Sequence, residues 1–300
     1  MRRRAVLAGL AGTVAMPRLA LARCEGLPVG QRVQNADRDP VGLDLDEVVE
    51  RGWIEFAAYD RLPPYSWEED GEAKGIDIGI GRIVAEALGV EPRFRFVASG
   101  ENLEADLRFN VWQGLPMGAG ENVVANMMLH VPYDTEFACR VEQAVFTGQA
   151  YRERVAIAYR EEAYPDTAPT PAFFRFDMVA VQNDTISDFY LASFPGGQIN
   201  ANIRRYPTMA EAMAALRAGE VNAAMGPRAQ LEWGAGEGVK VHAPPLPGLA
   251  IVDWTVGLAL HMSHRDLGYA ADDAIAAALA DGRIAALFEE HGLTFEAPER

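Results

Sequence analysis

The sequence predicts an α/β fold, and three observations carry that expectation. Strand-like and helix-like runs alternate along the chain, as they do where helices pack on largely parallel sheets. The alternation resumes cleanly after a proline-rich connector at residues 165–171. A secretory leader precedes all of it and sets the compartment.

In that leader Arg2, Arg3 and Arg4 form a charged n-region, residues 5–16 are apolar, and Ala20-Leu21-Ala22 supplies a small-x-small cleavage site. The apolar run is shorter than the ~20 residues a spanning helix needs. Residues 1–22 are therefore expected to leave as a signal peptide cleaved after Ala22. Arg3-Arg4-Ala5-Val6-Leu7 matches a twin-arginine signal loosely, so the twin-arginine and general secretory routes both stand. Cleavage removes four of the 27 Lys+Arg and none of the 43 Asp+Glu, leaving the mature chain at −20. That balance argues against nucleic acid and anionic membrane surfaces and permits a basic protein partner. No later apolar run approaches spanning length, so no membrane insertion is expected. Cys24 and Cys139 both survive cleavage, and an even count in an oxidising compartment predicts a disulfide. The competing idea, a lipid anchor on Cys24, meets Arg23 where a lipobox has Gly or Ala.

Residues 23–45, rich in Gly, Pro, Asp and Arg without periodicity, read as an extended arm. Order begins with a strand over 53–59. Residues 65–67 and 73–76 flank Asp70-Gly71, a hairpin signal. From Asp77 the period changes: Ile76, Ile80, Ile83, Val84, Ala87 and Leu88 share one helical face, and Gly89 ends it. Phe94 and Phe96 alternate with arginines in a second strand. Leu103, Leu107 and Val111 fit a helix, residues 114–120 a loop, 123–129 a buried strand and 155–159 another. Beyond the connector come a strand at 178–181, a helix at 186–194 and a strand at 203–206. Thr208-Met209-Ala210-Glu211 is a capping box, in which hydroxyl and carboxylate satisfy reciprocal backbone N–H groups. The helix it opens is followed by a strand at 221–225, a short helix at 228–233, a strand at 256–260 and two Ala-rich helices at 266–279 and 282–291.

Nothing in this order forms a catalytic centre. His130, His242, His261, His264 and His291 are scattered, with no H-E-x-x-H pair, no G-x-S-x-G elbow and no Walker loop. Gly79-x-Gly81 and Gly118-x-Gly120 lack the third glycine of a dinucleotide fingerprint, and Glu68, Glu69, Asp70 and Glu72 lack the spacing of a calcium loop. No metal, cofactor or catalytic residue is assigned. The aromatics Tyr59, Tyr65, Trp67, Trp112, Tyr133, Trp233 and Trp254 fall at strand ends or loops, and Met117, Met127 and Met128 accompany them. Such side chains suit an adaptable binding surface as well as an ordinary core.

The motif order resembles the type II periplasmic solute-binding proteins, amino-acid-binding branch. Trp53, Tyr65-Ser66-Trp67, Asp70-Gly71, Lys74-Gly75-Ile76-Asp77 and Leu88-Gly89-Val90 resemble its opening. Residues 140–146 with Tyr151 resemble the segment leading to its hinge, 206–225 its second-lobe signature, and 256–292 its return strand and terminal helices. The resemblance implies two α/β lobes joined by two crossover strands, with a ligand cleft between. Lobe one would hold 46–152 plus 256–296, and lobe two 153–255. It also puts Arg140 in register with the arginine that holds an α-carboxylate, although residues 130–139 are longer than the family's short loop. Gly226-Pro227-Arg228 stands where the family has the acid that holds the amine, so the amino-acid site looks abandoned or rebuilt. The run Asn126-Met127-Met128-Leu129-His130-Val131-Pro132-Tyr133-Asp134 further resembles the binding-protein-like J proteins (MoxJ/XoxJ type) encoded beside methanol dehydrogenases that use pyrroloquinoline quinone (PQQ).

The leading expectation from this resemblance is a periplasmic accessory protein that engages the methanol dehydrogenase large subunit and serves its maturation or activation, the cofactor belonging to the enzyme. The expected contact is an open, apolar cleft with Tyr59, Tyr65, Trp112, Met117, Met127, Met128, His130, Tyr133, Arg140 and Trp254. The alternative is a solute receptor of an ABC importer for a non-standard small ligand. An enzyme on the same fold stands third, to be revived by a buried carboxylate of raised pKa facing the cleft. A monomeric state is left open.

Overall fold

The computed structural model describes residues 42–114 and 124–299. The signal peptide, residues 23–41 of the arm with Cys24, and Met117 with most of the expected 114–120 loop lie outside the described residues. So does Val123. The last residues of the expected arm open a helix, α1 (Leu45–Arg51), because Asp44 and Glu47 form a capping box across its first turn. Strand β1 (Trp53–Tyr59) follows, then the hairpin β2 (Trp67–Glu69) and β3 (Glu72–Lys74), turned at Asp70 and Gly71 with φ of 53° and 81°. Helix α2 (Ile76–Leu88) closes on Gly89 in the left-handed region, as expected. Its entry depends on Gly75, whose φ is 119° and whose added Cβ would lie 2.2 Å from the Tyr65 carbonyl oxygen.

Strand β4 (Glu91–Val97) leads to α3 (Leu103–Leu107), which continues as a π-helical turn over Arg108–Trp112. Strand β5 (Met127–Tyr133) starts later than the expected 123–129 and runs on through Pro132, opposite Val256. A helix absent from the expectation, α4 (Thr135–Arg140), follows it, capped by Asp134 Oδ1 on the Phe137 N–H. Strand β6 (Ala144–Arg160) replaces the short strand expected at 155–159 with 17 residues. Then come β7 (Val179–Gln182), α5 (Ile186–Ala192), β8 (Ile203–Tyr206), α6 (Met209–Arg217) with the expected Thr208 capping box, β9 (Ala223–Pro227) and α7 (Arg228–Gly234). Strand β10 (Val239–His242), also unexpected, precedes β11 (Asp253–His261), α8 (Arg265–Ala280) and α9 (Arg283–Glu290).

The strands form the order β4-β1-β5-β11-β6-β9-β7-β8, with β10 also on β6. Pairing is parallel between β1 and β4, β1 and β5, β7 and β8, and β7 and β9. The long strands β6 and β11 are antiparallel to each other and to their neighbours, so the sheet is mixed where alternation alone predicts parallel pairing. They approach closely at Gly257, where a Cβ would meet the Thr147 carbonyl oxygen at 2.6 Å. These crossovers join two α/β lobes. One core gathers Ile54, Phe56, Tyr151, Leu258 and Phe288, and another gathers Ile157, Val179, Leu191 and Met225, all fully buried or nearly so. Each fully buried large apolar side chain contributes roughly 1.5–3 kcal/mol. The expected lobe boundaries at 152/153 and 255/256 fall inside β6 and β11. No helix among the described residues is long and apolar enough to cross a membrane.

Candidate functional site

The carboxyl ends of β1 and β5, the first residue of α5 and the start of β11 converge on a cleft of about 860 Å³. One wall holds Tyr59, Leu103, His130 and residues 132–135; the other holds Ile186 and residues 250–252. Arg152 from β6, Asp253, Trp254 and Thr255 from β11, and Glu299 complete the lining. Ligands of open α/β sheets bind at the carboxyl ends of strands in this way.

Charge in the lining is unbalanced. Among the described residues it contains Asp134, Asp253 and Glu299 and a single arginine, Arg152. The Arg152 guanidinium donates from Nη2 and Nε to Asp253 Oδ1 at 2.7 and 3.1 Å, and from Nη1 it pairs with Glu299 Oε1 at 3.0 Å. The cleft thus joins these charges to the apolar walls of Tyr59, Pro132, Tyr133, Ile251 and Trp254, where the sequence suggested an apolar cleft.

His130 links the cleft to a polar cluster beneath it. Its Nδ1 lies 2.8 Å from Asp77 Oδ2 and 3.1 Å from the Tyr151 hydroxyl, which donates to Asp77 Oδ1 at 3.0 Å. The buried Asp77 carboxyl group thus meets both side chains. His130 holds a φ of 59°, a left-handed conformation that costs a non-glycine residue roughly 1–3 kcal/mol and tends to mark functional positions. Tyr65 packs beside it, ring centroids 4.4 Å apart, and its hydroxyl donates to Glu153 Oε2 at 2.5 Å. Burial, then the neighbouring carboxylates, push the Tyr65 and Tyr151 hydroxyls well above their ordinary pKa, so both stay donors. Burial also raises the Glu153 carboxyl, against the opposing pull of the Tyr65 hydroxyl. Its Oε1 accepts the backbone N–H groups of Arg154 and Arg228, and it is not among the residues lining the cleft. The buried carboxylate of raised pKa is thus present but spent on internal bonds.

Of the residues expected at the cleft, Tyr59, His130, Tyr133 and Trp254 line it. Met127 and Met128 are fully buried on opposite faces of β5, and Trp112 packs with Met128 in the core beneath α3. Tyr65 is buried at 2 % exposure, one layer below the lining. Arg140 is exposed at the end of α4, its guanidinium 5.2 Å from the Phe137 ring, because that helix carries it away from the cleft. Pro227 ends β9, and Arg228 turns to Glu296 rather than to the cleft. Reasoning from sequence missed Arg152, Asp253 and Glu299: they lie far apart along the chain, the strand register of β6 on β11, which puts Arg154 opposite Asp253, brings the first two together, and the segment after α9 adds Glu299. No described cysteine is free, and Cys24 lies outside the described residues. No group of three or more His, Cys, Asp or Glu able to hold a metal occurs among the described residues.

No protein-family model and no curated protein matches the sequence. Solved structures do match the fold. An ancestral cationic amino acid solute-binding protein superposes with a TM-score of 0.65 at 19% identity, over 82% of this chain and 98% of its own. An amino acid ABC transporter substrate-binding protein from Streptococcus pneumoniae, bound to L-arginine, gives 0.58 at 18% identity over 84% and 98%. The solute receptor for L-cysteine of Neisseria gonorrhoeae gives 0.56 at 18% identity over 83% and 93%. The chain thus has the two-lobed fold of the type II periplasmic binding proteins.

Proposed function

We propose that this chain is an exported binding protein whose interlobe cleft takes a small organic cation, in the manner of a solute receptor. One observation carries the reading: among the described residues the cleft is lined by three acidic residues, and the one arginine of that lining is already paired with two of them. Among the described lining residues, a zwitterionic amino acid would find no unpaired arginine or lysine for its carboxylate. Forfeiting such a charge-assisted contact costs about 1.5–3 kcal/mol, and desolvating the unpaired carboxylate costs more. An ammonium group meets the opposite situation, with aromatic walls to hold its apolar part. The volume suits a small molecule, and the structural neighbours named above are receptors for small solutes. Periplasmic export after Ala22, a Cys24–Cys139 bridge, lobes divided near 152/153 and 255/256, and binding without catalysis belong to the same proposal.

A thermal-shift screen tests it. Small aromatic and aliphatic amines should raise the melting temperature saturably, whereas the standard amino acids at millimolar concentration should not. Saturable stabilisation by a neutral amino acid, with none by any amine, would sink the reading.

A second reading is favoured by a separate observation. The stretch Asn126-Met127-Met128-Leu129-His130-Val131-Pro132-Tyr133-Asp134, which resembles the dehydrogenase-associated J proteins, supplies one cleft wall, and Ile251 and Val252 are 52% and 38% exposed on the other. Exposed apolar side chains at a cleft suit a polypeptide partner. On this reading the cleft engages the large subunit of a PQQ-dependent methanol dehydrogenase. Co-expression with that enzyme should raise its activity or cofactor occupancy, and Ile251→Asp should reduce the gain while leaving the melting temperature unchanged. Equal activity with and without this chain removes the accessory role.

A further inference from the structure

The lining of the cleft is completed by a segment distant in sequence from both walls. Residues 293–299 leave α9 and run along the crossover strands. Leu293 and Phe295 pack on the first core, the Phe295 ring 5.4 Å from that of Phe288. Thr294 then bonds α7: its N–H and hydroxyl donate to the two oxygens of Glu232 at 2.8 and 2.9 Å. The Glu296 carboxylate sits between Arg154, at 3.1 Å, and Arg228, and its backbone oxygen accepts the Arg152 N–H at 3.0 Å. Three residues on, the Glu299 N–H reaches the Thr255 hydroxyl at 3.4 Å and the Glu299 carboxylate meets Arg152 Nη1.

We propose that Glu299 is an intramolecular ligand of the cleft: it fills the place on Arg152 that a ligand's carboxylate would take, and so biases the cleft against anions. The proposal rests on the cation reading above and adds what regulates it. The chemistry is direct. The Nε–Nη2 edge of the guanidinium is committed to Asp253, itself part of the lining, which leaves Nη1 as the donor for anything entering the cleft. Glu299 presents there the same functional group, a carboxylate, that an acidic ligand would present, and guanidinium recognises that group by charge and by its planar donors. The two glutamates of the segment are held differently. The Glu296 side chain is 25% exposed and shared by two arginines, whereas that of Glu299 is 77% exposed and held by one. Solvent-exposed ion pairs are weak, so Glu299 is the end that a competing anion or a variant displaces, while Glu296 keeps the segment in place. Among the described residues the lining carries three carboxylates against one arginine with Glu299 docked, and two against one, with Nη1 open, without it.

Benzylamine and benzoate, which share a ring and differ in the sign of charge, test this on the full mature chain by isothermal titration. The wild type is expected to bind benzylamine and to bind benzoate at least about ten times more weakly, the factor that 1.4 kcal/mol represents. Glu299→Gln should tighten benzoate by about the same factor and weaken benzylamine several-fold, and adding Arg152→Ala should abolish the benzoate gain. Glu299→Ala serves as the second variant, since glutamine retains an oxygen that can accept from Nη1; the exposed position spares the core in either variant, and circular dichroism checks the folding of both. Benzoate affinity unchanged from wild type in both variants, or a gain that survives Arg152→Ala, overturns the proposal. Failure of benzylamine to bind the wild type would instead remove the cation reading, because the benzoate comparison does not use it.

Discussion

His261 is buried at 6% exposure at the end of β11, and its Nδ1 accepts the Ser263 N–H at 3.2 Å. The ring of His264 lies 6.1 Å away, with both nitrogens buried and without a hydrogen-bond partner. Burial first, and then the charge that His264 would carry, lower the His261 pKa from 6.5 to about 4. The unfolded chain therefore takes up a proton near pH 6.5 that the folded chain refuses until about pH 4. A depressed histidine makes its stability contribution at neutral pH and loses it as pH falls across that window, by on the order of 2–3 kcal/mol at most. Urea unfolding at pH 7.5 and pH 5 should show the wild type losing stability, and His261→Gln, which keeps an acceptor for Ser263, should flatten the loss. An identical pH dependence in the variant would exclude His261 as its source. Nothing in the local sequence announces the burial of this pair.

At the scale of elements, legibility follows from how local the determining chemistry is. The Asp70-Gly71 hairpin, the α2 helix stopped by Gly89, the Thr208 capping box and the two terminal helices each depend on residues within a few positions, and the structure has them all. Helix α1 is equally local through Asp44 and Glu47, but the surrounding Gly, Pro and Arg composition masks it. Two features mislead for physical reasons. Pro132 has no N–H to give a ladder and so reads as the end of a strand, yet β5 carries it opposite Val256. Gly148 lies outside the short strand expected at 155–159, yet β6 passes through it at a φ of 59°, packed against Ile275 and Leu258. The site is harder to read. Residue type alone does not separate a methionine at the rim from one in the core, and Met127 and Met128 are both core because β5 is covered on both faces. The asparagine, histidine and tyrosine of the same stretch are informative: Asn126 Oδ1 accepts from Arg51 and the Glu55 N–H, and His130 and Tyr133 line the cleft.

For the molecule as a whole, two lobes joined by two strands are expected to move relative to each other unless something else ties them. Here a tie exists away from the cleft lining. Trp67 on the β2–β3 hairpin meets Trp233 on α7 with ring centroids 5.3 Å apart, and His291, beyond α9, lies 6.0 and 5.7 Å from the two. Residues 293–299 run on from this cluster to Glu232 and Arg228 of the same helix. Aromatic pairs contribute about 0.5–1.5 kcal/mol each beyond the area they bury. Trp233 is 42% exposed, so its loss should weaken the tie without opening either core. Removing about 2 kcal/mol shifts a tied-to-untied ratio roughly thirty-fold, since 1.4 kcal/mol is a factor of ten. Small-angle scattering of the wild type should therefore fit one compact arrangement, unchanged when a cleft ligand is added, and Trp233→Ala should increase the radius of gyration and broaden the distance distribution. Circular dichroism of the variant should match the wild type, which separates a loosened tie from an unfolded lobe. If the variant and the wild type scatter identically, the aromatic cluster packs at the lobe junction without restraining it, and the crossover strands alone set the opening of the cleft.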